Sequence, residues 1–184
     1  MINPLEIIQK YYPIESESYE ILVNHSKDVA NKAFNIGRLH PNMQLDLQFI
    51  EEAAMLHDIG AFLCDAPEID CHGKFPYICH GYLGADLLRN EGYPRHALVC
   101  ERHTGAGLSL EMIKRLDLPV PHRDMYPKSL EEQLICYADK FFSKTNLNNE
   151  KPIEKILKSM AKYDVTSVKQ FEKWHQLFGI KENL

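Results

Sequence analysis

Two ionisable residues stand at the end of an apolar run in the segment AAMLHDIG, residues 53–60. The apolar residues that precede His57 and Asp58 predict a buried helix, and a carboxylate at its carboxyl end would lie near the negative end of the helix dipole. Burial there would also cost the carboxylate its hydration. A bound cation would resolve both problems. The alternative is a surface Asp58 beside a His57 that is satisfied by a backbone carbonyl.

Four further candidates share one property, which is that each lies on a different predicted helix near apolar residues. They are His25, His80, His103 and Asp139. Any one of them alone is better explained as a satisfied core or surface residue. Together with His57 and Asp58 they place an imidazole or a carboxylate on five successive helices, and helical bundles build metal sites from such side chains. Six nitrogen and oxygen ligands suit iron, manganese, cobalt, nickel or zinc.

The elements that must position these residues are helical nearly throughout. Apolar spacing, capping residues and breaks at proline or glycine predict helices at about 4–12, 17–38, 47–58, 79–91, 94–103, from 109, 129–144, 152–162 and 167–178. Residues 61–78 predict a long loop, which is either a lid or a plain connector. The sequence shows no alternation typical of strands. We therefore predict a single all-α domain, a helical bundle over 1–184, with its core at about 17–145 and additional helices over 146–184.

Composition and charge exclude several classes of protein. The chain has 184 residues, of which 45% are hydrophobic and 26% charged, as in ordinary globular proteins with a sizeable core. A net charge of −5 argues against a nucleic-acid footprint, although a small phosphorylated substrate could bind in a locally cationic cleft. We see neither an apolar run of membrane-spanning length nor a signal-type segment, so we expect a cytoplasmic protein without membrane partners.

The cysteines indicate reduced, mostly buried thiols. They are Cys64, Cys71, Cys79, Cys100 and Cys136. Their number is odd and none forms a C-x-x-C pair, which is typical of free thiols in a cytosolic chain. Three of them fall within residues 64–79, so a zinc site there stays open, although the usual spacing of paired ligands is missing.

The order His25, His57-Asp58, His80, His103, Asp139 resembles the HD-domain superfamily of metal-dependent phosphohydrolases. The motif LHDIG matches the element that gives the family its name. The segments CHGYLGADLL, ERHTGAGLS and SLEEQLICYADKFFS are similar to the downstream elements of its small two-metal bacterial and archaeal members. The resemblance covers about residues 20–145 and implies an HD-type helical fold and an enzyme that hydrolyses phosphate esters.

Carried over by position, the resemblance implies a first metal held by His25, His57, Asp58 and Asp139. Asp58 would bridge to a second metal held by His80 and His103, and His57 and Asp58 would be the catalytic residues. Two divalent ions would hold the attacking hydroxide between them. Iron or manganese is favoured for these ions, with cobalt, nickel or zinc as alternatives. Many relatives have a lysine directly after HDIG, where this chain has Ala61, so a mechanism that needs that cation is not expected to transfer.

Five residues are candidates for contact with the substrate. The candidates are Arg102, Thr104, Arg123, Lys140 and Lys144. Thr104 and the glycines after it offer a backbone that could approach a phosphate. For Lys140 and Lys144, which should lie one turn apart on one helix, a solvated helix face is the simpler explanation. Phe171, Trp174, Leu177 and Phe178 are at helical spacing and are expected to pack in the core or in a homodimer.

The substrate stays open at this point. A nucleotide or another small phosphomonoester, phosphodiester or phosphoanhydride would suit the site, and the segments HTG and YADK are similar to bacterial HD-type hydrolases of dinucleoside tetraphosphates. The same ligands also occur in di-iron HD-type oxygenases that act on a small alcohol or phosphonate. A non-catalytic nucleotide-binding module is a further alternative, although retention of all six candidate ligands argues against it.

Overall fold

The computed structural model describes residues 2–162 and 164–179, which form nine α-helices and one small sheet. The helices are α1 (Pro4–Ile8), α2 (Glu17–Leu39), α3 (Leu47–Leu56), α4 (His80–Asn90), α5 (Pro94–Arg102), α6 (Leu110–Arg115), α7 (Leu130–Asp139), α8 (Ile153–Ala161) and α9 (Val165–Phe178). The predicted all-α fold is therefore confirmed. Side chains of Ser16, Asp46, Ser109 and Ser129 cap four of the helices by accepting a hydrogen bond from the backbone N–H three residues later.

Helix α7 is shorter than predicted, because it ends at Asp139 and not near Lys144. The backbone N–H groups of residues 140, 141 and 142 donate to carbonyls three residues earlier, a tightening that is typical of a helix end. Serine, threonine and asparagine follow at 143, 145 and 146, and these residues favour helix interiors poorly. Lys144 therefore lies in a non-helical segment, and the predicted helix face that it would share with Lys140 does not form.

Residues 61–78 are folded against the helices and are not a plain connector. The strand β1 (Cys64–Ala66) pairs antiparallel with β2 (Cys71–His72) and parallel with β3 (Phe75–Pro76). Strands of two or three residues are too short to show a period of two in the sequence. Buried Ala66, Ile69 and other residues of the segment pack against α2 and Tyr77. The segment thus forms a wall beside α2.

Helices α1 to α5 and α7 to α9 share one hydrophobic core, whereas Ile113 of α6 packs in a separate cluster with Leu108 and Met125. Helix α2 packs against α3 and α7, and α4 packs against α5 and the 3₁₀ turn Ile59–Leu63. Phe171, Trp174 and Phe178 are buried in this core, as one of the two expectations for them required. Leu177 is 40% exposed, so the expectation of core packing is wrong for this residue. Within the described residues, no helix is both long enough and apolar enough to span a membrane. The division into a core at 17–145 and additional helices stays a prediction.

Glycines allow three elements to approach closely beside Asp58. A Cβ atom on Gly60 would lie 2.3 Å from the carbonyl oxygen of His80 and 2.4 Å from the backbone nitrogen of Gly84. A Cβ atom on Gly84 would lie 2.6 Å from Sγ of Cys100. Gly60 is therefore a contact residue in a buried 3₁₀ turn. These contacts bring the end of α3, the start of α4 and helix α5 together.

We expect Gly84→Ala to lower the free energy of unfolding by about 1–3 kcal/mol, because the added methyl group overlaps the backbone of the 3₁₀ turn and the thiol of Cys100. Asn90→Ala, at the exposed last residue of the same helix, is the matched control. Urea unfolding of the metal-free proteins measures both. Equal stabilities of the two variants would contradict the close packing.

Candidate metal centre

The structure brings all six candidate ligands together in one buried cluster. Their donor atoms form two groups that share Asp58, with the members of each group within 4.8 Å of one another: His25, His57, Asp58 and Asp139, and Asp58, His80 and His103. Oδ2 of Asp58 lies 3.2 Å from Nε2 of His25 and 2.9 Å from Nε2 of His57. Oδ1 lies 3.2 Å from Nε2 of both His80 and His103. Each oxygen of one carboxylate therefore faces a different pair of imidazoles.

Helix ends position most of these residues. His57 and His103 cap the carboxyl ends of α3 and α5, and His80 is the first residue of α4. Asp139 is the last residue of α7 and not a mid-helix residue as predicted, while His25 lies inside α2. Because backbone groups at helix ends lack partners within the helix, they are available to hold side chains in place.

Backbone carbonyls orient three of the imidazoles. In His57, His80 and His103, Nδ1 lies 2.6, 2.6 and 2.7 Å from the carbonyl oxygen three residues earlier. A carbonyl only accepts hydrogen bonds, so each Nδ1 carries a proton and donates it. In the neutral ring Nε2 is then an acceptor, and in all three residues Nε2 points into the cluster. Imidazoles that ligate metals are held in the same way.

The cluster places acceptor atoms against acceptor atoms. Nε2 of His80 and Nε2 of His103 lie 3.0 Å apart. Oδ1 of Asp58 faces both of them and, within the part of the chain that the structure describes, has no hydrogen-bond donor. Facing lone pairs in the interior are unfavourable, whereas a cation between them would satisfy all of them at once. This donor set fits divalent transition metals with nitrogen and oxygen ligands.

Two ionised carboxylates in the cluster attract cations. Burial would raise the pKa of Asp58, but the positive charge of His57 and the ammonium group of Lys144 hold it well below its usual range. Burial would lower the pKa of His57, yet the carboxylates of Asp58 and Asp139 outweigh this effect and raise it to about 9. Burial lowers the pKa of His103 to about 4, so its ring is neutral at physiological pH. Without metal, the cluster therefore combines a protonated His57, a neutral His103 and ionised carboxylates, and ligation of a metal by His57 would release its proton.

Lys140 and Lys144 point into the cluster, so the expectation of a solvated helix face is wrong for both. Nζ of Lys144 lies 2.5 Å from Oδ2 of Asp58, and Nζ of Lys140 lies 2.7 Å from Oδ2 of Asp139. Lys144 reaches Asp58 because α7 ends early and the chain turns back. Lys144 also lines a small cavity together with Ala61, so a cation is present at this place although residue 61 is alanine.

A cationic cavity of about 270 Å³ opens beside the first ligand group. His25 and Asp139 lie in its lining with Lys140, Lys144 and Lys151. Lys151 could not be selected from the sequence, because its position depends on how the segment after α7 folds. Burial and the neighbouring ammonium groups lower the pKa of Lys151, although the Asp139 carboxylate opposes this shift. Three ammonium groups and the carboxylates of Asp139 and Glu68 line this opening, and the excess of ammonium groups suits an anionic ligand.

Three other candidates lie away from this cavity. The guanidinium of Arg102 lies 2.9 and 3.1 Å from the two carboxylate oxygens of Glu132. Arg123 pairs with Glu101, and neither arginine lines the cationic cavity. Thr104 follows His103 and lines a second, apolar cavity. The structure therefore brings Lys140 and Lys144 to the first ligand group but not the two arginines.

The five cysteines are buried free thiols, as expected. Burial raises the pKa of Cys64 to about 12 and that of Cys71 to about 11, which keeps both protonated. In residues 2–162 and 164–179, the two groups that could hold a metal contain no cysteine. The alternative of a zinc site at residues 64–79 is therefore not supported.

Comparisons with known proteins find one family pattern and several similar proteins. The sequence pattern of the HD domain matches residues 22–143. The uncharacterized protein MJ0778 of Methanocaldococcus jannaschii is 31% identical over 147 residues, which cover 78% of this chain and 79% of that protein. Two proteins named tRNA (cytidine(56)-2'-O)-methyltransferase, from Thermoplasma volcanium and Picrophilus torridus, are 31% and 29% identical. Those matches cover 76% and 78% of this chain but only 35% and 40% of the two longer proteins.

Solved structures show the same fold. The HD domain of the phosphodiesterase PgpH from L. monocytogenes superimposes with a TM-score of 0.54 at 17% identity, over 94% of this chain and 95% of that domain. The same domain in complex with cyclic-di-AMP gives a TM-score of 0.52 at 16% identity, over 98% and 99%. At this identity the likeness concerns the helical fold.

We expect Lys144→Met to destabilise the metal-free protein by about 3–5 kcal/mol, because it removes the ammonium partner of a buried carboxylate. The same change should tighten the binding of Mn²⁺, because the ammonium group no longer competes for Oδ2 of Asp58. Thermal unfolding with and without Mn²⁺ measures both effects, and Lys169→Met, at an exposed position on α9, is the control. A metal-induced stabilisation no larger than that of the unaltered protein would contradict this role of Lys144.

Proposed function

Because this chain belongs to the HD-domain family, we propose that it is a metal-dependent hydrolase of phosphate esters. The observation that carries the proposal is the Asp58 carboxylate, which is shared between two groups of buried ligands beside a cavity lined by lysines. The charges of that arrangement match the reaction. Anionic ligands suit divalent cations, and the ammonium groups suit a phosphorylated substrate.

In this proposal the six candidate residues are the metal ligands. His25, His57, Asp58 and Asp139 would hold one ion, and Asp58, His80 and His103 would hold a second. Iron or manganese is favoured for such nitrogen and oxygen ligands, with cobalt, nickel and zinc as alternatives. The chemistry that bound ions supply is the activation of water near neutral pH and the neutralisation of charge on phosphoryl oxygens.

The other residues of the site bind the substrate and keep the ligands in order. Lys140, Lys144 and Lys151 attract the phosphoryl oxygens into the cationic cavity and offset their charge. Lys144 supplies the cation that Ala61 lacks. The ring of Tyr77 stacks on His80 with centroids 4.5 Å apart and planes at 17°, which shields that imidazole from water. The backbone carbonyls bonded to Nδ1 keep the imidazoles in the orientation that the site needs.

We propose a nucleotide or a related small phosphate ester as the substrate. The three lysines support an anionic compound, and the negative net charge disfavours a long nucleic acid. The L. monocytogenes domain with a similar fold binds cyclic-di-AMP, a nucleotide. Two relatives carry names that concern tRNA, although this chain spans less than half of their length. Nucleoside 2′-, 3′- and 5′-phosphates and cyclic dinucleotides are therefore the first compounds to test.

We expect phosphate release from at least one of these compounds with Mn²⁺, Co²⁺ or anaerobic Fe²⁺. Asp58→Asn should lower kcat/KM by at least about a hundredfold, because it alters the carboxylate that both ligand groups share, and changes in groups that merely support metal ligands already cost up to that amount. Asp117→Asn, at an exposed position with a φ of 47°, should leave the rate unchanged. Inorganic phosphate and remaining substrate are measured together by chromatography, so that diester cleavage is also seen.

Three outcomes would contradict the hydrolase. If the protein has metal demonstrably bound and turns over none of the compounds, hydrolase activity on this panel of substrates is excluded. Oxygen uptake by the anaerobically iron-loaded protein with a small alcohol or phosphonate would indicate a di-iron oxygenase. Tight nucleotide binding without product would indicate a binding module.

A further inference from the structure

An apolar groove of about 390 Å³ lies beside the second ligand group. Its walls are formed mainly by Leu108, Met112, Leu116, Leu118 and Met160. His80 and Thr104 lie in its lining near the ligands, and Tyr77 lines both this groove and the cationic cavity. The proposed function assigns no role to this groove.

We propose that the groove binds an apolar or aromatic part of the substrate while the lysine-lined cavity binds its anionic part. This inference rests on the proposed function, because it concerns the substrate of the same site. The compound would be a phosphate ester with one charged end and one apolar end. Free sugar phosphates, which are hydroxylated throughout, would fit only the cationic side.

The position of the two cavities is the first argument. His25 and Asp139 of the first ligand group line the cationic cavity, and His80 of the second group lines the groove. A phosphorus atom near the shared carboxylate of Asp58 would therefore have a cationic wall towards one side and an apolar wall towards the other. Both walls meet at Tyr77.

The chemistry of the lining is the second argument. The polar residues of the groove include Thr104, Ser167 and Asp164, but Asp164 is paired with Arg115 at 3.2 Å and only 8% of its side chain is exposed. Aliphatic and methionine side chains supply the remaining surface, and methionine adapts to ligands of different shape. The volume falls within the range of about 300–1,000 Å³ that small-molecule sites occupy. Recognition there would depend on apolar burial and would be tolerant of shape.

A chain-length series tests the groove without relying on turnover. Alkylphosphonates from methyl to hexyl are titrated calorimetrically into the manganese-loaded protein, and hydrolysis of the matching alkyl phosphates is measured separately. Each added methylene should tighten phosphonate binding about three- to fourfold until the groove is filled, as expected for burial of apolar surface. A phosphonate of hexyl length with several hydroxyl groups should bind no better than methylphosphonate.

Leu116 and Leu177 provide a matched pair of variants. Leu116 is 46% exposed at the groove, and Leu177 is 40% exposed on α9 outside its lining. Leu116→Ser should reduce the gain per methylene, whereas Leu177→Ser should leave it unchanged. Equal affinities along the series, or an equal response of the two variants, would overturn the inference. Binding that depends on chain length, without hydrolysis, would support the groove as a binding site and contradict the proposed hydrolase. Hydrolysis without an effect of chain length would support the hydrolase and contradict the role of the groove.

Discussion

The buried carboxylate of Asp58 is the constraint on which the site depends. It is fully removed from water, and its two oxygens face four imidazole nitrogens at 2.9–3.2 Å. A charge at such a place is tolerated when cations or donors compensate it. In three of the imidazoles, Nδ1–H donates a hydrogen bond to a backbone carbonyl, so the Nε2 atom that faces Asp58 is an acceptor whenever the ring is neutral. The compensation must therefore come from bound cations, from a proton on His57 or from Lys144, and these alternatives compete with one another.

The fold satisfies this constraint with helix ends and glycine contacts. Ligands at helix ends can use carbonyls three residues earlier to fix their rings, which an interior position does not offer. Gly60 and Gly84 then allow the segment after Asp58 to approach α4 closely enough for His80 to reach the same carboxylate as His57. The segment 61–78 is folded onto α2 and contributes Tyr77, which lines both cavities. The ring of Tyr77 would thus lie between the cavity that binds the charged end of the substrate and the groove that binds its apolar end.

The helices and the six candidate ligands could be predicted from the sequence, because residues close together in the chain indicate both. Capping residues mark the helix starts at Asp46 and Ser129, and a histidine or aspartate on an otherwise apolar helix stands out. The contact of Lys144 with Asp58 could not be predicted, because it depends on where α7 ends and on the turn that follows. The strands in residues 61–78 are too short to give a periodic signal. The groove could not be predicted, because it forms only where α6 and α8 come together near His80. The spacing of residues along the sequence does not show which distant helices pack together.

Anomalous diffraction from crystals of the manganese-loaded protein, measured on both sides of the metal absorption edge, tests the shared carboxylate most directly. We expect two manganese peaks on opposite sides of Asp58. One peak should lie among His25, His57 and Asp139, and the other between His80 and His103. A crystal with neither peak, or with His80 and His103 turned away from Asp58, would contradict a metal site shared through this carboxylate.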